Sequence, residues 1–149
     1  MASSAGPVLF AYDGSELAAF AIQEAAGQLA PGREALVLCV WQPGDVGFVS
    51  TTDARFDAND AVQVKKAAEE TAAHGAALAD QAGFRSQSLA VQAAPTWQGI
   101  LEAAEERNAS LIVLGSHIRA GLAGRLLGSV AAAVVAHSTF SVLVVRQRS

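Results

Sequence analysis

One cysteine, one methionine and one tyrosine occur among 149 residues, and only 16% of the chain is charged. The lone Cys39 cannot close an internal disulfide, and no second thiol stands near it to build a metal site. Lysine and arginine number 10 against 14 acidic residues, a formal net charge of −4, and they cluster nowhere. Nucleic acid is therefore not an expected partner, because such binding rests on neutralising many phosphates. The longest apolar runs are strand-length, too short to span a bilayer. The opening MASSAGP has no basic region leading into an apolar run, so no secretory signal is expected. A cytoplasmic protein fits these absences. The length suits one domain, 1–149, with a proper core, and the 52% hydrophobic content argues against disorder.

What the chain does have is a series of buried-strand signals separated by helical ones. PVLFAY (7–12), ALVLCVW (35–41), LIVLG (111–115) and SVLVVR (141–146) are almost wholly apolar, the mark of strands covered on both faces; SLAVQ (88–92) is a weaker fifth. Asp13-Gly14-Ser15 breaks the first run, with Ser15 placed as an N-cap and Glu16 suited to the helix dipole. Leu17, Ala21, Ala25 and Leu29, beside Ala18 and Ile22, then make one apolar helical face until Pro31-Gly32. Residues 42–58 have no period and predict a long loop, of a length that is usually functional or mobile. A long helix over Asn59–Ala82 ends at Gly83. Gly75 inside it costs about 1 kcal/mol against alanine and marks a site for a kink or break. Further helices are predicted from Pro95-Thr96 to Arg107 and from Gly128 to His137.

The order β-α-β-α-β-α-β-α-β predicts an α/β fold: a mostly parallel sheet with helices on both faces. Ligands of such sheets bind beyond the carboxyl ends of the strands, where strand order reverses. If the first and fourth strands are neighbours there, Asp13 and Gly115 face one crevice.

Between Gly115 and Gly128-Ser129 lie twelve loop-like residues carrying Arg119, Arg125, Gly121 and Gly124. A phosphate would explain them. Unpaired amides and the dipole at a helix start favour an anion, and a glycine there admits phosphate to the backbone. The plainer alternative is a serine N-cap after a flexible residue. Arg119 and Arg125 either pair with phosphate oxygens or are simply solvated. His117 is a phosphate donor, a base, or an ordinary loop residue. Asp13 is a sugar-hydroxyl acceptor or a turn residue before Gly14. Cys39 reads as an inert core thiol, and Trp41, Trp97 and Phe48 either shelter a base or, as the plainer reading, lie in a core or interface. His74 and His137 lack a partner at metal spacing. No nucleophile elbow occurs, and Ser129 has no base near it in sequence, so an enzyme is not expected; slow ATP hydrolysis is the one activity left open. A receiver domain would need an aspartate after the third strand, where Gln92-Ala93-Ala94 stands.

The chain resembles the universal stress protein family over nearly its whole length. The resemblance rests on VLFAYDGSELAAFAIQEA, on LVLCVWQP, and on the closing LIVLGSHIRAGLAGRLLGSVAAAVVAHSTFSVLVVR. ATP-binding members carry Gly-x2-Gly-x9-Gly-(Ser/Thr) after the fourth strand. Here Gly115 and Gly128-Ser129 keep that spacing, but Ile118 replaces the second glycine. The family resemblance implies an open, Rossmann-like sheet of the adenine nucleotide α-hydrolase-like type, with strand order 3-2-1-4-5. It further implies a homodimer through the last strand, Ser141–Arg146. ATP, alone or with Mg2+, is the implied ligand, and the implied role is that of a regulator or sensor in the stress response. Carried onto this chain, Asp13 would lie by the ribose and adenine, Val40 would meet adenine through its backbone, and Gly115 would line the ribose side. Gly128, Ser129 and Val130 would hold the phosphates, with Ser116 and Arg125 completing the site. The alternative is a dimeric interaction module of the same fold that binds no nucleotide, and Ile118 is its main support.

Overall fold

The computed structural model describes residues 6–42, 58–116, 119–121, 124–126 and 128–147; for 58–60, 119–121 and 124–126 it describes the backbone alone. Five parallel strands form the sheet: β1 (Val8–Ala11), β2 (Glu34–Trp41), β3 (Arg85–Gln92), β4 (Leu111–Ser116) and, at the far edge, a strand numbered β7 (Val142–Arg146) because a short hairpin precedes it. That hairpin is β5 (Arg119–Gly121) with β6 (Gly124–Leu126). In the sheet the order is β3-β2-β1-β4-β7, which is the expected 3-2-1-4-5 counted over the five parallel strands. Four helices connect them among the described residues: α1 (Glu16–Gln28), α2 (Ala58–Gln81), α3 (Thr96–Glu106) and α4 (Ser129–His137).

Period-two alternation divides the sheet's side chains between two cores. Val8, Phe10 and Tyr12 face α1 and α2, joined there by Val37, Phe84 and Val113. Leu9, Leu36, Leu38, Ile112 and Leu114 face α3 and α4, against Ile100, Ala104 and Val134. Phe10 meets Phe84 edge-on with ring centroids 5.2 Å apart. Cys39 and Trp41 are buried against Val64, Ala68 and Ala72 of α2, the core role expected of both. Trp97 is half-buried, stacked on His137 at 4.2 Å where α3 meets α4. Phe48 and most of the 42–58 segment lie outside the described residues.

Three expectations need correction. β3 begins at Arg85, not Ser88: it is an edge strand, and its polar first half pairs with β2 through main-chain hydrogen bonds that leave no apolar signature. The stretch after Gly115 is not twelve residues of loop. Ser116 completes β4, and the hairpin occupies six more positions. Third, α2 starts at Ala58 and runs through Gly75 without a break, because that glycine serves packing. α2 does end as expected: Gly83 has a φ of 108°, and the Phe84 amide donates back to the Ala79 carbonyl at 3.0 Å, a left-handed helix terminus. Beyond it the Ser86 hydroxyl and amide both donate to Asp80 Oδ1, at 2.6 and 3.0 Å. Those bonds hold the Asp80 carboxyl below the usual carboxylate range.

Candidate functional site

The chain leaves β1 for α1 on one side, while β4 lies on the other, so strand order reverses at the carboxyl end of β1. A cavity of about 320 Å³ lies at that point, inside the size range of small-molecule sites. Its floor is apolar, made by Ala11, Leu38, Val40, Ile100 and Leu114. Its rim is polar and carries the first turns of three helices, α1, α3 and α4.

Those three helix starts differ. α1 is capped by its own chain: Ser15 Oγ accepts the Ala18 N–H at 3.1 Å. α3 has no side-chain cap either, though the Pro95 carbonyl takes the Gln98 amide at 3.1 Å. α4 begins after Gly128, which has no side chain to cap it. The first amides of a helix have no acceptor within it. Gly128 N–H donates to Ser116 Oγ at 2.9 Å, and the amides of Ser129, Val130 and Ala131 follow at the cavity wall. With a partial positive charge at the helix start, main-chain donors placed in this way suit an anion.

Register fixes the direction of the Val40 backbone groups. Successive strand residues turn their amide and carbonyl to opposite sides. The Leu38 carbonyl accepts from Tyr12 on the β1 side, and the Trp41 carbonyl accepts from Ala93 on the β3 side. Val40 therefore faces the β1 side, but β1 pairing stops at Ala11↔Leu38. Its amide and carbonyl are presented to the cavity, an edge suited to a planar heterocycle.

Asp13 is exposed on the rim, with Oδ1 accepting the Ser15 N–H at 3.0 Å. It is thus a turn residue and a cavity residue at once. Gly14 beside it, with a φ of 85°, makes the turn out of β1. Tyr12 also lines the cavity. Burial, and secondarily the Asp13 charge, push its hydroxyl above the ordinary tyrosine range. Gly115 lies on the wall, but its missing Cβ is explained by packing: a Cβ would come within 2.8 Å of Leu17 Cγ and 3.2 Å of the Leu17 carbonyl.

Asp13, Val40, Gly115, Ser116, Gly128, Ser129 and Val130 thus converge on one cavity. Arg125 stands in β6, paired with Ala120, and its side chain lies outside the described part, as does that of Arg119 in β5. His117 and Ile118 lie outside the described residues altogether. Sequence reasoning missed Tyr12, Leu17 and Thr96 as wall residues. For Tyr12 the signal was there, since it adjoins Asp13 at the strand end.

A larger hollow of about 690 Å³ lies at the amino ends of the strands, bordered by Glu34, Asp80, Arg85 and Arg107. Among the described residues no helix start opens into it, and its ion pair is loose and solvated: Arg85 and Glu34 are 3.9 Å apart with side chains 71% and 64% exposed. Such a pair directs little binding. Among the described residues, no three His, Cys, Asp or Glu side chains gather as a metal site, and no helix is long and apolar enough to cross a membrane.

The sequence profile of the universal stress protein family matches residues 5–146. Among solved structures, the chain is similar to the hypothetical protein MJ0577, at 23% identity and a TM-score of 0.75, over 97% of each chain. It is similar to a universal stress protein in complex with cAMP, at 26% identity and a TM-score of 0.67, over 97% of this chain and 100% of that one. A universal stress protein family protein from Arabidopsis thaliana with AMP bound shares 16% identity with a TM-score of 0.66, over 97% of this chain and 93% of its own. No curated protein matches significantly.

Proposed function

The chain belongs to the universal stress protein family, and from that premise we propose that it binds an adenine nucleotide, ATP, as a cytoplasmic regulator or sensor in the stress response. The observation that carries this reading is the uncapped start of α4 opening into the cavity at the strand-order reversal. The apolar floor suits a purine, the Val40 backbone its polar edge, and Asp13 a ribose hydroxyl. The amides of Ser129, Val130 and Ala131 would take phosphate oxygens, with the Ser129 hydroxyl adding a donor. The relatives crystallised with cAMP and with AMP support the adenylate class. Magnesium, where it accompanies ATP, would be held by phosphate oxygens and water rather than by a protein cage. We read the site as a receptor rather than an active site.

At one hundred times its dissociation constant, ATP is expected to stabilise the fold by about 2.7 kcal/mol. For a domain of this size that is about 5–11 °C in melting temperature. A melt unmoved by millimolar ATP or AMP with magnesium would defeat the nucleotide reading and leave the interaction module.

The same proposal includes a homodimer through the last strand. β7 pairs only with β4 among the described residues, so its outer edge presents main-chain donors and acceptors. Val142, Leu143 and Val144 are only half-buried in the single chain. A twin strand would satisfy the edge and cover them. Sedimentation should give twice the chain mass at micromolar concentration, and Val144→Pro, which removes a donor from the edge strand, should shift the protein toward monomer.

A further inference from the structure

Ser116 is the one buried non-aromatic polar side chain among the described residues, 2% exposed at the end of β4. It follows Ile112 and Leu114 on the face toward α3 and α4, where period two calls for another apolar residue. A hydroxyl there is costly unless it is used. It is used: Oγ accepts the Gly128 N–H at 2.9 Å across twelve positions of chain. Gly128 is the N-cap of α4, with an extended φ of −60° and ψ of 157°. The bond therefore ties the last residue of the strand to the first of the helix, with the whole hairpin segment looped out between them.

We propose that Ser116 is a positioning residue of the anion site, acting through Gly128 rather than as a contact to the nucleotide. This rests on the nucleotide reading given above. By engaging the Gly128 amide it turns that donor into the protein and fixes the angle at which the next three amides meet the cavity. Packing of Ala131 and Val134 in the core holds the body of α4; the Ser116 bond adds a fixed point at its first amide, and donors must be held to within about 0.5 Å to act together. A serine read as a ligand contact is thereby reassigned to the support behind the contacts.

The test compares ATP with adenosine, which has the same base and sugar and no phosphate, by calorimetric titration of the full chain. Ser116→Ala is expected to weaken ATP about tenfold, the consequence of misaligned charge-assisted hydrogen bonds. Adenosine affinity should stay unchanged, which also shows that the variant is folded. Ser116→Thr, which retains the hydroxyl, should restore ATP affinity. Equal weakening of both ligands, or of neither, overturns the positioning role while leaving nucleotide binding intact. A wild-type chain that takes up neither ligand overturns both.

Discussion

Gly128→Asp is expected to raise the melting temperature slightly while removing ATP binding. The N-cap of α4 has the extended dihedrals that a capping aspartate adopts, and a Cβ added there meets only Ser116 Oγ, at 3.6 Å. The new carboxylate would accept from the Val130 or Ala131 amide and sit favourably on the dipole, a gain of about 0.3–1 kcal/mol. That corresponds to roughly 1–4 °C for a domain of this length. The same carboxylate would occupy the donors that the phosphates need and repel their charge. Losing two charge-assisted hydrogen bonds at about 1.5–3 kcal/mol each predicts at least a hundredfold loss of affinity. Thermal melts and calorimetric titration read the two effects separately, and their opposite signs exclude simple damage to the fold. A more stable variant that still binds ATP as the wild type does would show that the start of α4 is not the phosphate site.

The parts of the fold that were legible in the sequence are those where burial leaves a one-dimensional trace. Runs such as VLFA and LIVL are covered on both faces, so their strands, the parallel sheet and the crevice position could be argued from residues alone. β3 was only half visible because its first residues are held by main-chain pairing at an edge. The hairpin after β4 was invisible, because strands of three residues rich in glycine and arginine carry no period. Gly115 shows a subtler limit. Its spacing to Gly128-Ser129 put all three on one cavity, yet the reason a side chain is excluded there is Leu17 of α1, a contact that no local pattern announces. Ser116 was legible in principle: alternation puts it on the same face as Ile112 and Leu114, where a serine needs a reason.

Gly75→Ala should destabilise the protein by about 1–2 kcal/mol, although helix propensity alone argues the reverse. In an exposed helix interior the change would gain up to about 1 kcal/mol. Here a Cβ would lie 2.7 Å from both Tyr12 Cδ2 and Val37 Cγ1 and 2.8 Å from Tyr12 Cγ. Carbon contacts are comfortable at about 3.5–4.0 Å. Neither neighbour can swing aside, since Tyr12 is 3% and Val37 0% exposed. Overpacking of this kind costs about 1–3 kcal/mol, which outweighs the propensity gain and lifts α2 from the sheet beside the cavity. Gly27 in α1 is the control: it is exposed and a Cβ there meets nothing within 4 Å. Gly27→Ala should therefore stabilise, by a few tenths to about 1 kcal/mol. Chemical denaturation of the two variants should thus move in opposite directions from the wild type. If both alanines stabilised the protein, α2 would have to stand farther from Tyr12 than this packing allows, and the cavity wall that Tyr12 forms would have a different shape.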